Sequence, residues 1–300
     1  MKIITKYQTT FERANTYDDQ IKEYTNKLSY TELDDNGNVV LDKSFLAEDN
    51  SSNTIRRTFD AENRVVTEQF LDGEEENLYE SRHYFYGEGN RIERCDISYL
   101  EDKVTEKYSY SPEGQLLQKE VFYEDGSSYI ETVCTWENGR LLEEKVFSDT
   151  DELQSRHEYS YNEEGKICKI VLYEPEMDIV NKTTETYSYG PYGVEVQETY
   201  NISDQLVVRR TFSYDEQGRR SDAVIESASS YFRHCYGYDA ENRCILDQML
   251  NKDGVILNEK RTTFDENGNE LRIDVYSKNI VDNTDELLLI ETYTTEYKNV

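Results

Sequence analysis

One short sequence recurs along the chain at a nearly constant interval. The aromatic residue that precedes each predicted turn marks this interval, and successive markers are about 24 to 28 residues apart. A fixed period of this length is typical of an array in which each repeat contacts only its neighbours. The sequence therefore predicts one repeat array over residues 30–300 and an atypical N-terminal capping segment over residues 1–29. Copies of the repeat include TFDAENRV from Thr58, SYSPEGQL from Ser109, SYNEEGKI from Ser160, SYDEQGRR from Ser213 and TFDENGNE from Thr263.

Each copy has the features of two strands joined by a tight turn. An aromatic pair such as Tyr108-Ser109-Tyr110 has the two-residue period of a strand with one aromatic face. Asp, Asn or Ser follows, as is favoured at the first position of a type I turn, and Pro112 and Pro191 fall at the next position. Gly or Asn occupies the fourth position, where a left-handed backbone is needed. The predicted structural turn residues are Gly37, Asn63, Asn90, Gly114, Gly165, Gly193, Gly218, Asn242 and Gly268.

The second half of each repeat predicts a return strand. Apolar residues such as Leu116-Leu117 begin it, and a second, irregular turn ends it. About ten units of roughly 26 residues then give about 20 to 22 strands. The predicted fold class is all-β, a continuous array of antiparallel β-hairpin repeats that forms a long curved or spiralling sheet, because strand twist curls a sheet of that length.

The string aromatic-x-Tyr-Asp-x-x-Gly-Arg, present at Phe212–Arg219 and in degenerate form in the other copies, resembles the YD repeat. This repeat is found in Rhs (rearrangement hot spot) proteins, teneurins and insecticidal toxin-complex subunits. In that family the hairpins build a strip that spirals into a hollow shell, often around a toxin domain. The resemblance implies a non-catalytic repeat scaffold or interaction protein.

The charge of the chain limits its partners. It has 63 acidic and 33 basic residues, a formal net charge of −30 at pH 7. Such a chain repels phosphate backbones and anionic membranes, so we expect neither nucleic acid nor a membrane as a partner. We expect a protein partner, and a basic protein fits the charge best. The other interpretation is that the charge keeps a sheet with exposed edges soluble.

Strand alternation places both members of each aromatic pair on one face of the predicted sheet. We expect this concave aromatic face to bind another protein. One alternative is an immunity-like protein whose acidic surface neutralises a basic toxin. Another is a carbohydrate-binding repeat protein whose tyrosines stack on sugar rings. The candidate binding face consists of Tyr108, Tyr110, Tyr159, Tyr161, Tyr187, Tyr189, Tyr214, Tyr236 and Tyr238.

No combination of residues predicts catalysis, a metal site or a cofactor. The three histidines each follow an arginine, as in Arg156-His157, and their spacing of three units is about 30 Å along a sheet. We interpret them as cross-strand positions. The stretch Asp265–Glu270 resembles a calcium loop, but its glycine comes at the fourth rather than the sixth position. We therefore expect a protein that is not an enzyme.

Targeting signals are also lacking in the sequence. The N-terminal residues contain no apolar run long enough for a signal peptide, and no segment has the length of a membrane span. We expect a cytoplasmic location, with export by a specialised secretion route left open. Five cysteines without paired spacing favour free thiols.

Overall fold

The computed structural model describes residues 1–15, 18–46, 51–176, 179–278 and 287–300. Within these ranges the chain forms 22 strands of one sheet and a single 3₁₀ turn at Glu88–Asn90, so the prediction of an all-β antiparallel fold is confirmed. None of the described residues forms a helix with the length and apolar character needed to cross a membrane. The strands are β1 (Lys2–Asn15), β2 (Asp18–Leu33), β3 (Val39–Phe45), β4 (Ser52–Phe59), β5 (Val65–Asp72), β6 (Asn77–Tyr86), β7 (Ile92–Tyr99), β8 (Asp102–Tyr110), β9 (Leu116–Tyr123), β10 (Ser128–Glu137), β11 (Arg140–Phe147), β12 (Leu153–Tyr161), β13 (Ile167–Glu176), β14 (Ile179–Tyr189), β15 (Val194–Tyr200), β16 (Leu206–Tyr214), β17 (Arg220–Ser227), β18 (Tyr231–Tyr238), β19 (Cys244–Leu250), β20 (Ile256–Phe264), β21 (Glu270–Lys278) and β22 (Leu287–Asn299).

The chain separates into two compact units. The central unit comprises residues 55–190 and 196–208, and the terminal unit comprises residues 1–54, 191–195 and 209–300. In the central unit β5 to β14 pair in chain order, each with the next. In the terminal unit β17 to β22 pair in the same way.

The prediction of an open, curved or spiralling sheet is wrong. Strand β22 pairs with β1, from Lys2 opposite Asn299 to Thr10 opposite Glu291, and β1 pairs in turn with β2. The last strand therefore lies against the first, and the order of strands closes on itself. The repeat determines only the nearest partners of each strand and carries no signal for this pairing. Unpaired N–H and C=O groups at sheet edges favour such closure, which residues 1–29 complete by supplying β1 and most of β2.

The tight turns owe their shape to their first and fourth residues. In the turn after β16, the Asp215 carboxylate accepts backbone N–H groups of Gln217 and Arg219, both at 2.9 Å. The N–H of Gly218 is donated to the Asp215 carbonyl at 3.0 Å, with Gly218 at a φ of +77°. All nine predicted turn residues lie at positive φ, eight between 61° and 90° and Gly193 at 152°.

The turns at the other end of the strands are more regular than the sequence predicts. Asn201 and Asn251 each accept two backbone N–H groups in their own turn, as Asp215 does. The residues at the fourth position, Asp204 and Gly254, have φ values of 57° and 79°. The sequence analysis applied the rule for the first turn position only to the turns that follow an aromatic marker, and therefore treated these second turns as irregular.

Few side chains are fully buried. Among the described residues only seven apolar side chains are buried, so most of the apolar surface is half-covered by neighbours across the strands. Cross-strand pairs and backbone hydrogen bonds therefore hold this fold together more than a thick aliphatic core does. The seven are Leu71, Cys95, Val121, Cys134, Val171, Ala223 and Val275.

Candidate functional site

The second tyrosine of each aromatic pair links neighbouring hairpins. The hydroxyl of Tyr110, at the end of β8, donates to the carbonyl of Ile92 at the start of β7, at 2.8 Å. A half-buried hydroxyl with a backbone acceptor is part of the structure's own hydrogen bonding. Equivalent bonds of 2.6 to 2.8 Å run from Tyr161, Tyr189, Tyr214 and Tyr238 to the carbonyls of Leu141, Ile167, Val194 and Arg220.

The Asp and Arg of the motif add a second link between turns. Arg219 donates from Nε to Asp215 at 2.7 Å, and its guanidinium carbon lies 4.6 Å from the centre of the Tyr238 ring. Its NH1 group donates to the side chain of Asn242, in the next turn, at 2.8 Å. Arg64 makes the same contacts in the central unit. These residues therefore hold each turn to the next one.

The nine candidate tyrosines lie in both units. Six of them, from Tyr108 to Tyr189, are in the central unit, and Tyr214, Tyr236 and Tyr238 are in the terminal unit. All nine are half-buried, neither open on the surface nor enclosed. We define the tyrosine face as the side of the central unit's sheet that carries Tyr84, Tyr108 and Tyr159.

Carboxylates on the tyrosine face between β5 and β9 are paired with cations. Glu68 accepts hydrogen bonds from Arg57 at 2.7 Å and from the hydroxyl of Tyr84 at 2.6 Å. Glu106 accepts from Tyr108 and from Lys119, the latter at 3.1 Å. Burial and then the bond to Glu106 raise the pKa of Tyr108. The negative charges of Glu68 and Glu106 are therefore balanced by cations of the same sheet.

Strands β12 to β14 carry a pocket on the same face, next to Glu144 of β11. Glu144, His157, Leu172 and Thr183 form one cross-strand row, because each is directly opposite the next. Tyr159 and Glu185 lie on either side of Ile170 in the adjacent row. The residues of these rows on β12 to β14 line a pocket with a volume of about 360 Å³; they are His157, Tyr159, Ile170, Leu172, Thr183 and Glu185.

Several polar groups of this pocket lack a hydrogen-bond partner among the described residues. Nδ1 of His157 is buried without one and lies 3.8 Å from a carboxylate oxygen of Glu144. The imidazole stacks on Tyr159, with ring centres 6.3 Å apart and an interplanar angle of 19°. Burial and then the charge of Glu144 raise the pKa of Tyr159. Glu185 uses one oxygen for Tyr187 and Gln197, so its other oxygen faces no described donor.

The two faces of β11 to β14 differ in charge. Among the paired residues whose side chains the structure describes, the tyrosine face carries three carboxylates, Glu144, Glu174 and Glu185, and neither lysine nor arginine. The paired positions of the opposite face carry four cations and two carboxylates. This part of the tyrosine face is therefore a local anionic surface. The residues of the opposite face are Lys145, Arg156, Lys169, Lys182, Glu143 and Glu158.

The sequence prediction did not find this pocket. A usable signal was present, since alternate residues of His157–Tyr159 and of Ile170–Leu172 point to one side of their strands. What the sequence lacks is the register that places the two segments opposite each other. The described residues contain no group of three or more His, Cys, Asp or Glu side chains that could hold a metal ion. The five cysteines are free thiols.

Comparisons with known proteins give similarity only at the level of solved structures. No family model and no curated protein matches the chain. The Tc holotoxin pore of Photorhabdus luminescens is similar over 88% of this chain, with 12% identity and a TM-score of 0.40. The chain spans only 16% of the length of that protein. A porin-like protein from Bacteroides uniformis is similar over 99% of this chain and 97% of its own length, with 11% identity and a TM-score of 0.32.

Proposed function

We propose that the protein is a non-catalytic β-repeat scaffold related to the YD-repeat proteins, and that the tyrosine face of β11 to β14 binds a basic protein. The observation that carries this proposal is the set of three carboxylates that have no lysine or arginine at the paired positions of their own face. Opposite charges across an interface speed association and select the partner. A basic toxin, as bound by immunity-like proteins, is one partner of this kind.

The scaffold role is supported by the use of the motif residues. Tyr214 bonds a neighbouring strand, Asp215 caps its own turn, and Arg219 reaches the next turn. Each of these side chains is engaged within the fold, which leaves none of them as a nucleophile or a general base. The YD-like string therefore explains how the chain folds rather than what reaction it performs.

The proposed binding surface uses fewer tyrosines than the nine that the sequence predicts. The five tyrosines at strand ends donate to backbone carbonyls, and Tyr108 and Tyr187 donate to glutamates. Tyr159 has no hydroxyl partner among the residues that the structure describes, and it lines the pocket. In this proposal Tyr159 is the tyrosine in the central unit that contacts the partner.

Binding of fluorescein-labelled decalysine, followed by fluorescence anisotropy, tests the proposal. The double variant Glu144→Gln/Glu185→Gln should weaken binding about tenfold, which corresponds to about 1.4 kcal/mol. The control variant Glu113→Gln/Glu163→Gln removes the same charge from two exposed turn residues and should change binding less than about twofold. Raising the salt concentration should weaken binding of the parent protein more than that of the first variant.

If both double variants weakened decalysine binding equally, binding would depend on net charge alone, and the proposed binding surface would be wrong. Absence of decalysine binding, together with saturable binding of a neutral oligosaccharide, would favour the carbohydrate-binding alternative. Circular dichroism of all the variants should retain the strand spectrum of the parent, because glutamine keeps the volume and one acceptor oxygen of each glutamate.

A further inference from the structure

The pocket on β12 to β14 combines the apolar side chains Ile170 and Leu172 with the carboxylate of Glu185. Resting on the function proposed above, we propose that it receives a single lysine or arginine side chain of the basic partner. The methylene stem lies against Ile170 and Leu172, and the cationic head meets Glu185. The pocket thereby sets the position at which the partner docks.

The apolar part of the pocket suits the stem. Ile170 and Leu172 are next-but-one neighbours on β13, so their side chains lie side by side on the tyrosine face. Both are only half-buried, which leaves apolar surface available to a partner. Lysine and arginine cover apolar surface with their methylene groups while their charged ends stay near water.

The polar part suits the charged head. Glu185 has one oxygen without a described donor, and it lines the pocket directly. Tyr159, across Ile170 from Glu185, presents an aromatic ring, and a cation over such a ring is attracted by it. Glu144 lies on β11, three strands from Glu185, which is about 14 Å at about 4.8 Å per strand. It lies opposite His157, beyond the lining of the pocket, and adds negative potential there without touching the same head group.

No lysine or arginine at the described paired positions of β11 to β14 competes for this position. The lysines and arginines at paired positions of β11 to β14 all lie on the opposite face, where Arg156 and Lys145 form ion pairs with Glu143 at N···O distances of 2.6 and 2.7 Å. An external ammonium or guanidinium group is therefore the charge that complements Glu185. An anionic side chain would face three carboxylates and be repelled.

Titration with n-butylammonium, a lysine side chain without its backbone, tests the pocket. In methyl-labelled protein the Ile170 and Leu172 signals, assigned with Ile170→Val and Leu172→Ile variants, should shift and saturate. The Glu185→Gln variant should weaken this binding about fivefold, and the Glu163→Gln control should leave it unchanged within about twofold. Butanol, which has the same chain without the charge, should shift the two methyl signals far less.

Equal responses to butylammonium and butanol, or no response of Ile170 and Leu172, would overturn the pocket assignment. The proposed function would survive that result if decalysine binding still depended on Glu144 and Glu185. If butylammonium did not shift the Ile170 and Leu172 signals and decalysine binding did not depend on Glu144 and Glu185, both the pocket and the proposed binding surface would be wrong. The two failures are thus distinguishable in one set of variants.

Discussion

The sequence Arg-His-x-Tyr-x-Tyr occurs twice, at residues 156–161 and 233–238, and its two copies have different surroundings. In both copies the histidine stacks on the first tyrosine, with ring centres 6.3 and 6.2 Å apart. In the terminal unit Nδ1 of His234 lies 3.0 Å from Oδ1 of Asp247, and Asp247 is directly opposite Lys260. In the central unit Nδ1 of His157 lies 3.8 Å from a carboxylate oxygen of Glu144, on the preceding strand, and no lysine or arginine occupies the paired positions of that face in β11 to β14.

This comparison separates what the local sequence does from what the neighbouring strands do. The alternation of the strand places His and Tyr side by side in both copies. Whether the histidine makes a hydrogen bond depends on the strands on either side. Strand β19 supplies Asp247 as the partner of His234, and β20 places Lys260 directly opposite Asp247. At the described paired positions of that face, β11, β13 and β14 supply neither such a partner nor a lysine or arginine. The same six-residue string therefore has its histidine hydrogen-bonded in the terminal unit, whereas Nδ1 of His157 in the central unit has no hydrogen-bond partner among the described residues.

The largest expected effect comes from supplying the missing cation to the central unit. Thr183→Lys places an ammonium group among the lining residues of the pocket, beside Glu185. We expect binding of decalysine to weaken by about tenfold or more, because the site is filled and one charge is cancelled. Anisotropy titration measures this change.

The matched control is Thr262→Lys, which adds the same side chain to the corresponding face of the terminal unit. It should reduce decalysine binding less than about twofold, since it lies away from the pocket and changes only the net charge. If the two lysine variants bind decalysine equally, the contrast between the units has no bearing on binding.

A smaller effect is expected on stability. His234→Leu leaves the half-buried carboxylate of Asp247 without its imidazole partner and should lower the free energy of unfolding by about 1 to 3 kcal/mol. His157→Leu removes an imidazole that makes no hydrogen bond within the described residues, so it should cost less than about 1 kcal/mol. Urea denaturation midpoints of the two variants test the order, and a larger loss for His157→Leu would contradict the comparison.

The smallest effect concerns tyrosine ionisation. Burial and then a carboxylate raise the pKa of both stacked tyrosines, the carboxylate being Glu144 for Tyr159 and Asp247 for Tyr236. Glu144→Gln should lower the pKa of Tyr159 alone, and Asp247→Asn that of Tyr236 alone, with burial keeping both above 10.0. Titration of ¹³Cζ-labelled tyrosines measures each site. A shift at both tyrosines in either variant would show that the two environments are not separate.

The same raised pKa values give the direction of a stability change with pH. A tyrosine whose pKa is higher in the folded state favours folding while it is neutral, and that contribution is complete below the unfolded value of 10.0. It is lost as the pH rises through the folded pKa. We therefore expect the melting temperature to fall above pH 10, and to fall less steeply in a Tyr159→Phe variant.

The sequence pattern predicts the local structure well because the turn residues and the strand alternation are local properties. The left-handed backbone at Gly218 and the shared face of Tyr159 and Tyr161 depend on a few neighbouring residues. The pairing of β1 with β22 joins residues almost 300 positions apart, and no short motif encodes it. Tyr159 differs from the tyrosines that bond a backbone carbonyl because its hydroxyl has no partner among the described residues. Which group each hydroxyl meets depends on cross-strand register, and the repeat does not predict that register.

Methyl-labelled protein offers the most direct test of the difference between the two units, because each His–Tyr stack has its own reporter. Ile170 and Leu172 lie in the pocket of the central unit, and Met249 is directly opposite His234 in the terminal unit. During titration with decalysine, the signals of Ile170 and Leu172 should shift and saturate while that of Met249 stays in place. Equal shifts at the three residues, or a shift at Met249 alone, would contradict the assignment of partner binding to the tyrosine face of β11 to β14.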